Sequence, residues 1–344
     1  MRPTGACLSY CGQAKKFAHV SPRAIKLWLM SIAPYLKEIA RGRKGARDLS
    51  RVQAADLMAQ LLRGDLSELE LGAFCIAMRI KGETPDELAG FLDALTPHMQ
   101  RPRSTCPVVV LPSYSGARRQ PCLTPLLALH LAQLGQAAGF AVLLHGMQTE
   151  DSRVAPQSII FELNKLVYPV KPVWTAIETI VPAHTKALQA GRAYWLDTAD
   201  FSPALARLLQ VREVLGLRNS AHSLVKMLNP VDAPQTLLVY PYTHPEYRES
   251  AAATFLLTGQ SALLMRGTEG EPVADTRRIP EIRLAQNGAL QLLQAPQDCT
   301  DDVATQDCSA VSTAAYSAAV LQGQQPLPSA LARQAALIIE SLKK

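Results

Sequence analysis

The residues best placed for chemistry lie in the short segment from Leu111 to Arg119. This segment follows a β-branched run, Val108 to Val110, and precedes a long apolar stretch, Leu123 to Leu134, so the sequence predicts a strand, a turn and a helix start. Backbone N–H groups at such a turn point towards an anion and commonly bind phosphate. The pattern therefore indicates phosphate binding by Ser113, Tyr114, Gly116, Arg118 and Arg119.

This turn lacks two parts of a site that encloses a diphosphate. Close approach of the backbone to phosphate needs several glycines, and a magnesium-bound diphosphate needs a nearby carboxylate. The turn has Gly116 alone and no carboxylate, and it carries Tyr114, Arg118 and Arg119 instead. The sequence thus predicts phosphate contact through side chains at a surface. Tyr114 can either stack on a base or close the shortened loop as a structural residue, and both alternatives stay open.

A second group of basic side chains lies near the start of the chain. Residues 1–51 contain eleven Lys and Arg and two acidic residues, a net charge of +9, whereas the other residues sum to −3. The densest part comprises Arg41, Arg43, Lys44 and Arg47. Such a run is usually a solvated helix start, which composition alone favours, and the functional alternative is contact with a polyanion.

The composition places the 344-residue chain among folded proteins with a core sufficient for one large domain or two. Hydrophobic residues make up 48% of the chain, but no apolar run approaches the length of a membrane span. The seven cysteines form no CxxC pair, which favours a reducing compartment, the cytoplasm, without a metal site or a disulfide framework. Residues 1–30 show no periodicity, and we expect a disordered lead there.

Residues 31–103 are predicted to form a small all-helical domain. Apolar residues recur at helical spacing, and Gly64 and Gly82 mark helix ends. Pro102 to Pro107 predicts a linker. Helix starts are indicated by three capping boxes, in which a hydroxyl stands three positions before a Glu or Gln, at Ser50, Ser67 and Thr84.

Residues 104–344 alternate between predicted strands and helices, a pattern typical of an α/β domain with a mostly parallel central sheet. Asn287 and Gly288, between two short strands, predict a type I′ hairpin. We expect a polar loop over residues 296–312 and a last amphipathic helix from about Ser329 to Leu342. The other predicted elements are strands at Val108 to Leu111, Ala141 to Leu144, Leu237 to Tyr240 and Ala262 to Met265, and helices from Leu123 and near Ile159 to Leu166.

Several motifs are similar to those of a known superfamily. The segments Leu66 to Phe91, Leu215 to Pro230 and Gly267 to Glu271 resemble the anthranilate phosphoribosyltransferases and the related pyrimidine nucleoside phosphorylases. The resemblance covers the chain from about residue 35 to its end. It implies their fold, a small helical domain beside a larger α/β domain, and a homodimer formed through the helical domain.

Within this superfamily the chain most resembles a divergent branch, the YbiB-type proteins of the glycosyltransferase family 3 fold. The segments that carry this resemblance are Ser113 to Gln120, Gly216 to His222, Thr243 to Tyr247 and Gly267 to Glu271. The resemblance implies sequence-nonspecific nucleic-acid binding by a dimer, without demonstrated transferase activity. The partner implied is nucleic acid, with DNA favoured, and not a membrane.

The chain departs from the transferases at the positions that bind their donor. Transferases hold a diphosphate with the turn Gly-Thr-Gly-Gly-Asp, which is matched here by Ser113 to Ala117, and they carry Lys-His-Gly-Asn-Arg where this chain has Leu144 to Gln148. Their adjacent Asp-Glu pair for magnesium is matched by Glu269 and Glu271, which are separated. These losses remove the electrostatic clamp on the donor. We therefore expect no cofactor, and magnesium only if transferase activity persists.

The leading hypothesis is a nucleic-acid-binding dimer. The alternatives are a phosphoribosyl- or glycosyltransferase with an altered donor site and an anion-binding scaffold with neither activity. Arg218 matches the arginine that meets the acceptor's carboxylate in the superfamily, and a guanidinium there can equally bind phosphate. His145 and His222 are interpreted as packed histidines, and no catalytic or metal-binding residue is predicted. The predicted phosphate-binding residues are Arg41, Arg43, Lys44, Arg47, Ser113, Tyr114, Gly116, Arg118, Arg119, Arg153, Arg218 and Lys226.

Overall fold

The computed structural model describes residues 31–42, 44–148, 150, 152–167, 176–299, 301, 303, 305 and 307–343. The predicted lead over residues 1–30 and the predicted contact Arg43 lie outside these ranges. The described chain forms a helical N-terminal domain and a larger α/β domain with a mostly parallel eight-stranded sheet. The predicted fold class is therefore confirmed. None of the helices in the described ranges is long and apolar enough to cross a membrane.

Three helices of the helical domain begin at the capping boxes that the local sequence predicts. All three capping boxes form, with Ser50, Ser67 and Thr84 accepting from the backbone N–H three positions later. Gly64 has a left-handed backbone, the conformation in which glycine commonly ends a helix. The helices are α1 (Ala33–Ile39), α2 (Arg51–Arg63), α3 (Glu68–Lys81) and α4 (Pro85–Leu95).

A buried carboxylate joins the helices of this domain. Glu87 is fully buried and accepts hydrogen bonds from the backbone N–H groups of Leu49 and Thr84, each at 2.9 Å. Its carboxylate also pairs with the ammonium of Lys81 at 2.7 Å. These contacts hold the turn between α3 and α4, and Glu83 in this turn accepts a hydrogen bond from Ser220 of the α/β domain at 2.6 Å.

Replacing Ser50 with alanine is expected to lower the free energy of unfolding by about 1 kcal/mol, because the N–H of Gln53 loses its acceptor. Ser50→Asp is the matched control, since aspartate supplies an oxygen at the same position. Urea unfolding followed by circular dichroism measures both. Equal losses in the two variants would contradict a role for the cap.

The α/β domain alternates strands with helices, as predicted. The hairpin at Asn287 and Gly288 forms, and the last helix has the predicted bounds. The elements are β1 (Val108–Pro112), α5 (Thr124–Ala138), β2 (Ala141–Gly146), α6 (Pro156–Val167), β3 (Glu178–Ile180), β4 (Ala193–Asp197), α7 (Thr198–Phe201), α8 (Pro203–Leu215), α9 (Ala221–Leu224), β5 (Thr236–Tyr242), α10 (Pro245–Thr258), β6 (Ala262–Arg266), β7 (Arg278–Ile279), β8 (Ile282–Gln286), β9 (Ala289–Gln294), β10 (Gln297–Asp298), α11 (Ala310–Leu321) and α12 (Ser329–Leu342).

The predicted loop over residues 296–312 is wrong in part. Its first residues form β10, which pairs with β7, and α11 begins at Ala310. Helix α11 packs against α6 and is rich in Ala, Ser, Thr and Val, so no polar stripe marks one side of it. A helix without a polar stripe gives little periodic signal, and the sequence pattern therefore missed it.

The strand order of the large sheet is β3-β4-β2-β1-β5-β6-β8-β9. The strands from β3 to β6 run parallel, and the last two are antiparallel. Because parallel strands end at the same edge, the segments after β1, β2, β5 and β6 meet there. This edge brings the predicted phosphate turn together with residues far along the chain.

The sheet separates two cores, and β1 contributes to both. Val108 and Val110 belong to a core that continues into the helical domain. Val109 and Leu111 belong to the core on the opposite face, under α5, α11 and α12. The helical domain therefore packs on one face of the sheet, close to the edge where the parallel strands end.

Candidate functional site

The turn after β1 is held by a carboxylate of the chain itself. Glu271 is fully buried and accepts hydrogen bonds from the hydroxyls of Ser113 and Thr124, the latter at 3.1 Å. Its other oxygen accepts from the backbone N–H of Gly116 at 2.8 Å. Burial raises the pKa of Glu271, against the hydrogen bonds of Ser113, Gly116 and Thr124. An internal anion thus takes donors that a bound phosphate would use.

A second carboxylate occupies the donors at the end of the same turn. Glu269 accepts from the N–H groups of Arg119 at 2.7 Å and Gln120 at 3.0 Å, and from that of Arg118 at 3.2 Å. Successive N–H groups that converge on one point form an anion-binding nest. This nest is filled by Glu269, so the turn has the predicted anion-binding character but binds its own chain.

Both carboxylates, those of Glu269 and Glu271, lie in the turn after β6. Thr268 and Glu271 form an isolated bridge, and the N–H of Glu271 donates to the Thr268 carbonyl at 2.9 Å. Glu269 and Gly270 have positive φ angles of 51° and 95°. For a residue other than glycine such a φ is costly, and the hydrogen bonds to the Glu269 carboxylate hold it there.

These carboxylates do not fit the magnesium site of the transferases. The oxygens of Glu269 and Glu271 face N–H and O–H donors, which present positive partial charge and leave no open acceptor pair for a cation. Across the part of the chain that the structure describes, no three His, Cys, Asp or Glu side chains gather as metal ligands.

Gly116 is required by packing. Its φ is +62°, and a Cβ at this position would lie 2.7 Å from the Val154 carbonyl oxygen. The next residue, Ala117, forms a backbone bridge with Val154. Close approach between these two segments therefore accounts for the glycine without a bound phosphate.

Arg153 closes over the turn. Its guanidinium donates to the Gly116 carbonyl at 2.9 Å, and it pairs with Glu150 at 3.2 Å and Glu269 at 3.5 Å. The predicted phosphate contact of Arg153 stays a prediction, but its charge is already shared with two carboxylates. Its position stabilises the turn.

Glu150 was missed by the sequence reasoning and is the centre of an arginine cluster. Its carboxylate lies 3.1 Å from Arg212, 3.2 Å from Arg153 and 3.6 Å from Arg218. Partial burial raises its pKa, but Arg212, Arg153 and Arg218 outweigh that effect and the pKa is lowered. Three cations around one anion leave a positive surplus beside the turn. No local pattern could have found this cluster, because its members come from three segments.

Arg118 and Arg119 are exposed, and within the described residues neither guanidinium has an acidic partner. In the basic run of the helical domain, Arg41 and Arg47 both pair with Glu38, at 3.0 and 3.5 Å, and Lys44 is exposed. The described contacts do not join this run to the turn after β1.

A cavity of about 490 Å³ lies between the helical domain and the carboxyl ends of the central strands. Tyr114 and Lys226 line it, and they are only 3% and 9% exposed. Tyr114 is thus inside the protein, which favours its structural alternative over base stacking at the surface. Arg218 lines the same cavity, so the structure brings Tyr114 together with two predicted site residues of a distant segment, Arg218 and Lys226.

Both histidines are buried, as expected for packed side chains. His145 stacks edge-on against Phe201, and His222 against Tyr114. Burial lowers the pKa of each to about 3, and Arg218 and Arg212 add to this effect at His222. Both imidazoles are therefore neutral at physiological pH. With a pKa of about 3 each is a weak base, poorly suited to general-base catalysis near pH 7.

Comparisons with known proteins agree with this architecture. Residues 33–99 match the model of the glycosyl transferase family, helical bundle domain. The uncharacterized protein YbiB of Escherichia coli (strain K12) is 36% identical over 312 residues, which cover 89% of this chain and 93% of that protein. An anthranilate phosphoribosyltransferase of Methanopyrus kandleri is 28% identical over 196 residues, 57% of this chain and 53% of that enzyme.

Solved structures show the same fold. The anthranilate phosphoribosyltransferase of Thermus thermophilus has a TM-score of 0.63 at 22% identity, over 89% of this chain and 87% of that one. The Saccharomyces cerevisiae enzyme in complex with PRPP and Mg has a TM-score of 0.58 at 15% identity, over 88% and 85%.

The fold and the helical bundle define a protein of the anthranilate phosphoribosyltransferase-like class. Within that class, the chain belongs to the YbiB family, a divergent branch of the glycosyltransferase family 3 fold.

Proposed function

We propose that this chain forms a cytoplasmic homodimer, through its helical domain, that binds nucleic acid, DNA above all, with little sequence preference. One observation carries the proposal: Glu269 and Glu271 fill the backbone donors of the β1 turn, while the side chains of Arg118 and Arg119 stay exposed beside it. A turn filled in this way offers guanidinium groups to an external phosphate rather than N–H groups to an enclosed one.

The charges around the turn support this proposal. The arginine cluster at Glu150 adds positive charge near Arg118 and Arg119, because Arg153 contacts both the turn and Glu150. Arg41, Lys44 and Arg47 supply a second basic surface on the helical domain. Side-chain contacts with phosphates give affinity that depends steeply on salt and reads little sequence.

The test is fluorescence anisotropy of a labelled single-stranded oligonucleotide at several salt concentrations. Arg118→Ala/Arg119→Ala is expected to weaken binding and to make the plot of log affinity against log salt shallower by about 1.4, because each lost phosphate contact on a single strand contributes about 0.7. The matched control is Arg63→Ala/Arg192→Ala, which removes two arginines that are paired with Asp65 and Glu178. The control is expected to keep the wild-type slope.

Two outcomes would contradict the proposal. One is an absence of binding by the wild-type protein at low salt. The other is an equal change of slope in both double variants, which would mean that the overall charge acts and not the turn. Repeating the titration with duplex DNA and with RNA then identifies the preferred form.

A second candidate is a phosphoribosyl- or glycosyltransferase with an altered donor site. The observation that favours it is the interdomain cavity beside Arg218, on a fold shared with enzymes named anthranilate phosphoribosyltransferase. Calorimetric titration with phosphoribosyl diphosphate, with and without magnesium, tests this candidate. Binding that requires magnesium would favour the transferase, whereas the filled turn leads us to expect none.

A further inference from the structure

The large sheet ends at β9, and the outer edge of this strand is open. Among the described residues β9 pairs with β8 alone, and its residues Ala289 and Leu292 are exposed. The unpaired N–H and C=O groups of an edge strand can pair with a strand of another chain. Proteins commonly prevent this with charged side chains or proline, and β9 contains neither.

The opposite edge of the sheet does have such protection. Strand β3 is only three residues long, and its Glu178 forms an ion pair with Arg192 at 3.4 Å. A short strand with charged side chains is a poor template for pairing. The edge that can accept a further strand is therefore that of β9.

The register of the hairpin shows which backbone groups of β9 point outwards. The turn has two residues, so Gln286 and Ala289 flank it as an opposed pair, and the register stays regular as far as Leu292. The pair beside such a turn exchanges both hydrogen bonds, and bonded and non-bonded pairs then alternate. The N–H and C=O groups of Leu290 and Leu292 therefore point away from β8.

The side chains beside this open edge are apolar. Leu290 and Leu292 lie on the same face of the sheet, since side chains alternate along a strand. Leu290 packs against the core on that face, whereas Leu292 is 53% exposed. Helix α10 packs against β9 and adds Leu256 and Leu257, which are also exposed. The edge thus combines outward backbone groups with an exposed apolar surface.

We propose that β9 pairs with β9 of a second copy of this chain, in antiparallel register centred on Gln291. Leu290 of each copy then lies opposite Leu292 of the other. Both pairs exchange two main-chain hydrogen bonds, and the four leucines meet on one face. The edge is self-complementary about a two-fold axis, as an interface between identical subunits requires, and it has no charge that would select a charged partner.

This interface is separate from the proposed contact through the helical domain, because β9 belongs to the α/β domain. Two different symmetric interfaces on one chain link dimers into larger assemblies. This consequence rests on the proposed homodimer, whereas the pairing of β9 does not. Linked dimers would bind along a nucleic acid cooperatively, since neighbouring molecules contact each other on the strand.

A cysteine at the centre of the pairing tests the register directly. Gln291 of the two copies would form a non-hydrogen-bonded pair with Cα atoms about 4.5 Å apart, which is within the range of a disulfide. Gln291→Cys is therefore expected to form a covalent dimer on oxidation with oxidised glutathione, seen on a non-reducing gel. Val311→Cys, at an exposed site on α11, and the wild type with its native cysteines are the controls and are expected to stay uncrosslinked.

Sedimentation velocity over a range of protein concentrations tests the interface without a covalent bond. The wild type is expected to form a species that grows with concentration and has twice the mass of the species left in Leu292→Lys. A lysine at this exposed position leaves the fold intact but places a like charge on both sides of the pairing. Val311→Lys is the matched control and is expected to associate as the wild type does.

The masses also separate this inference from the proposed function. A Leu292→Lys protein that remains a dimer supports both, whereas a monomer supports the β9 pairing and refutes the dimer through the helical domain. Equal masses in the wild type and Leu292→Lys, or an equal loss of association in both lysine variants, would overturn the inference. So would the absence of a crosslink in Gln291→Cys. Nucleic-acid binding is measured independently by anisotropy and does not depend on these results.

Discussion

Replacing Glu271 with alanine is expected to lower the free energy of unfolding by about 3 kcal/mol. The variant removes the acceptor of the Gly116 N–H, and this backbone group cannot rotate to another acceptor. The variant also leaves a small cavity. The hydroxyls of Ser113 and Thr124 can rotate to other acceptors, so most of the loss comes from Gly116 and the cavity. Chemical denaturation measures the change.

Two further variants make the Glu271 experiment specific. Glu271→Gln keeps one carbonyl oxygen for the Gly116 N–H and removes the charge, whose burial is unfavourable, so a loss of about 1 kcal/mol is expected. Glu178→Ala, on the edge strand β3, is the control for loss of an exposed glutamate. Wild-type stability in Glu271→Ala would mean that the turn after β1 does not depend on this carboxylate.

Lowering the pH from 7 to 5 is expected to destabilise the protein through its buried histidines. The pKa of His145 is about 3 in the folded protein, against 6.5 for an ordinary histidine. Between these values the unfolded chain binds a proton that the folded chain does not, so the free energy of unfolding falls as the pH falls. The contribution of His145 amounts to about 2 kcal/mol at pH 5, and His222 adds a similar term.

The difference in pH dependence of unfolding between the wild type and His145→Leu isolates the contribution of His145. Glu271 and Glu83 have raised pKa values and therefore act in the opposite sense on acidification, so the wild-type slope alone is not diagnostic. His145→Leu removes one titrating group at similar volume, and its unfolding free energy is expected to depend on pH less steeply by one proton between pH 6.5 and 3.

The control for the loss of a histidine side chain is His98→Leu, at an exposed position. Urea unfolding at several pH values gives the slopes. Parallel curves for the wild type and His145→Leu would show that His145 is not buried in its neutral form.

Local chemistry explains why most elements could be predicted. The cap at Ser50 needs only a hydroxyl and a glutamine three positions later, so nothing distant enters the prediction. The hairpin at Asn287 and Gly288 depends on positive φ angles that these two residues readily adopt, and the structure has them at 52° and 74°. The sequence pattern did not predict helix α11, because this helix is buried on several sides and therefore has no periodic alternation of apolar and polar residues.

The candidate site also has features that the sequence indicated and features that only the structure shows. The sequence indicated that the β1 turn lacks the glycines and the carboxylate for a magnesium-bound diphosphate, and it pointed to Arg118 and Arg119. It could not show that Glu271, about 155 residues further along the chain, binds the Gly116 N–H. Nor did it reveal Glu150, whose partners Arg212 and Arg218 lie in a distant segment of the chain.

By itself, then, the sequence determined the helix caps, the turns, the alternation of strands and helices and the absence of a glycine-rich phosphate turn, because each depends on neighbours within a few positions. Only the tertiary structure decided which groups fill that turn and that Lys226 lines a cavity with Tyr114 and Arg79. The physical reason is that parallel strands end at one edge of the sheet, where contacts join segments that no local pattern relates.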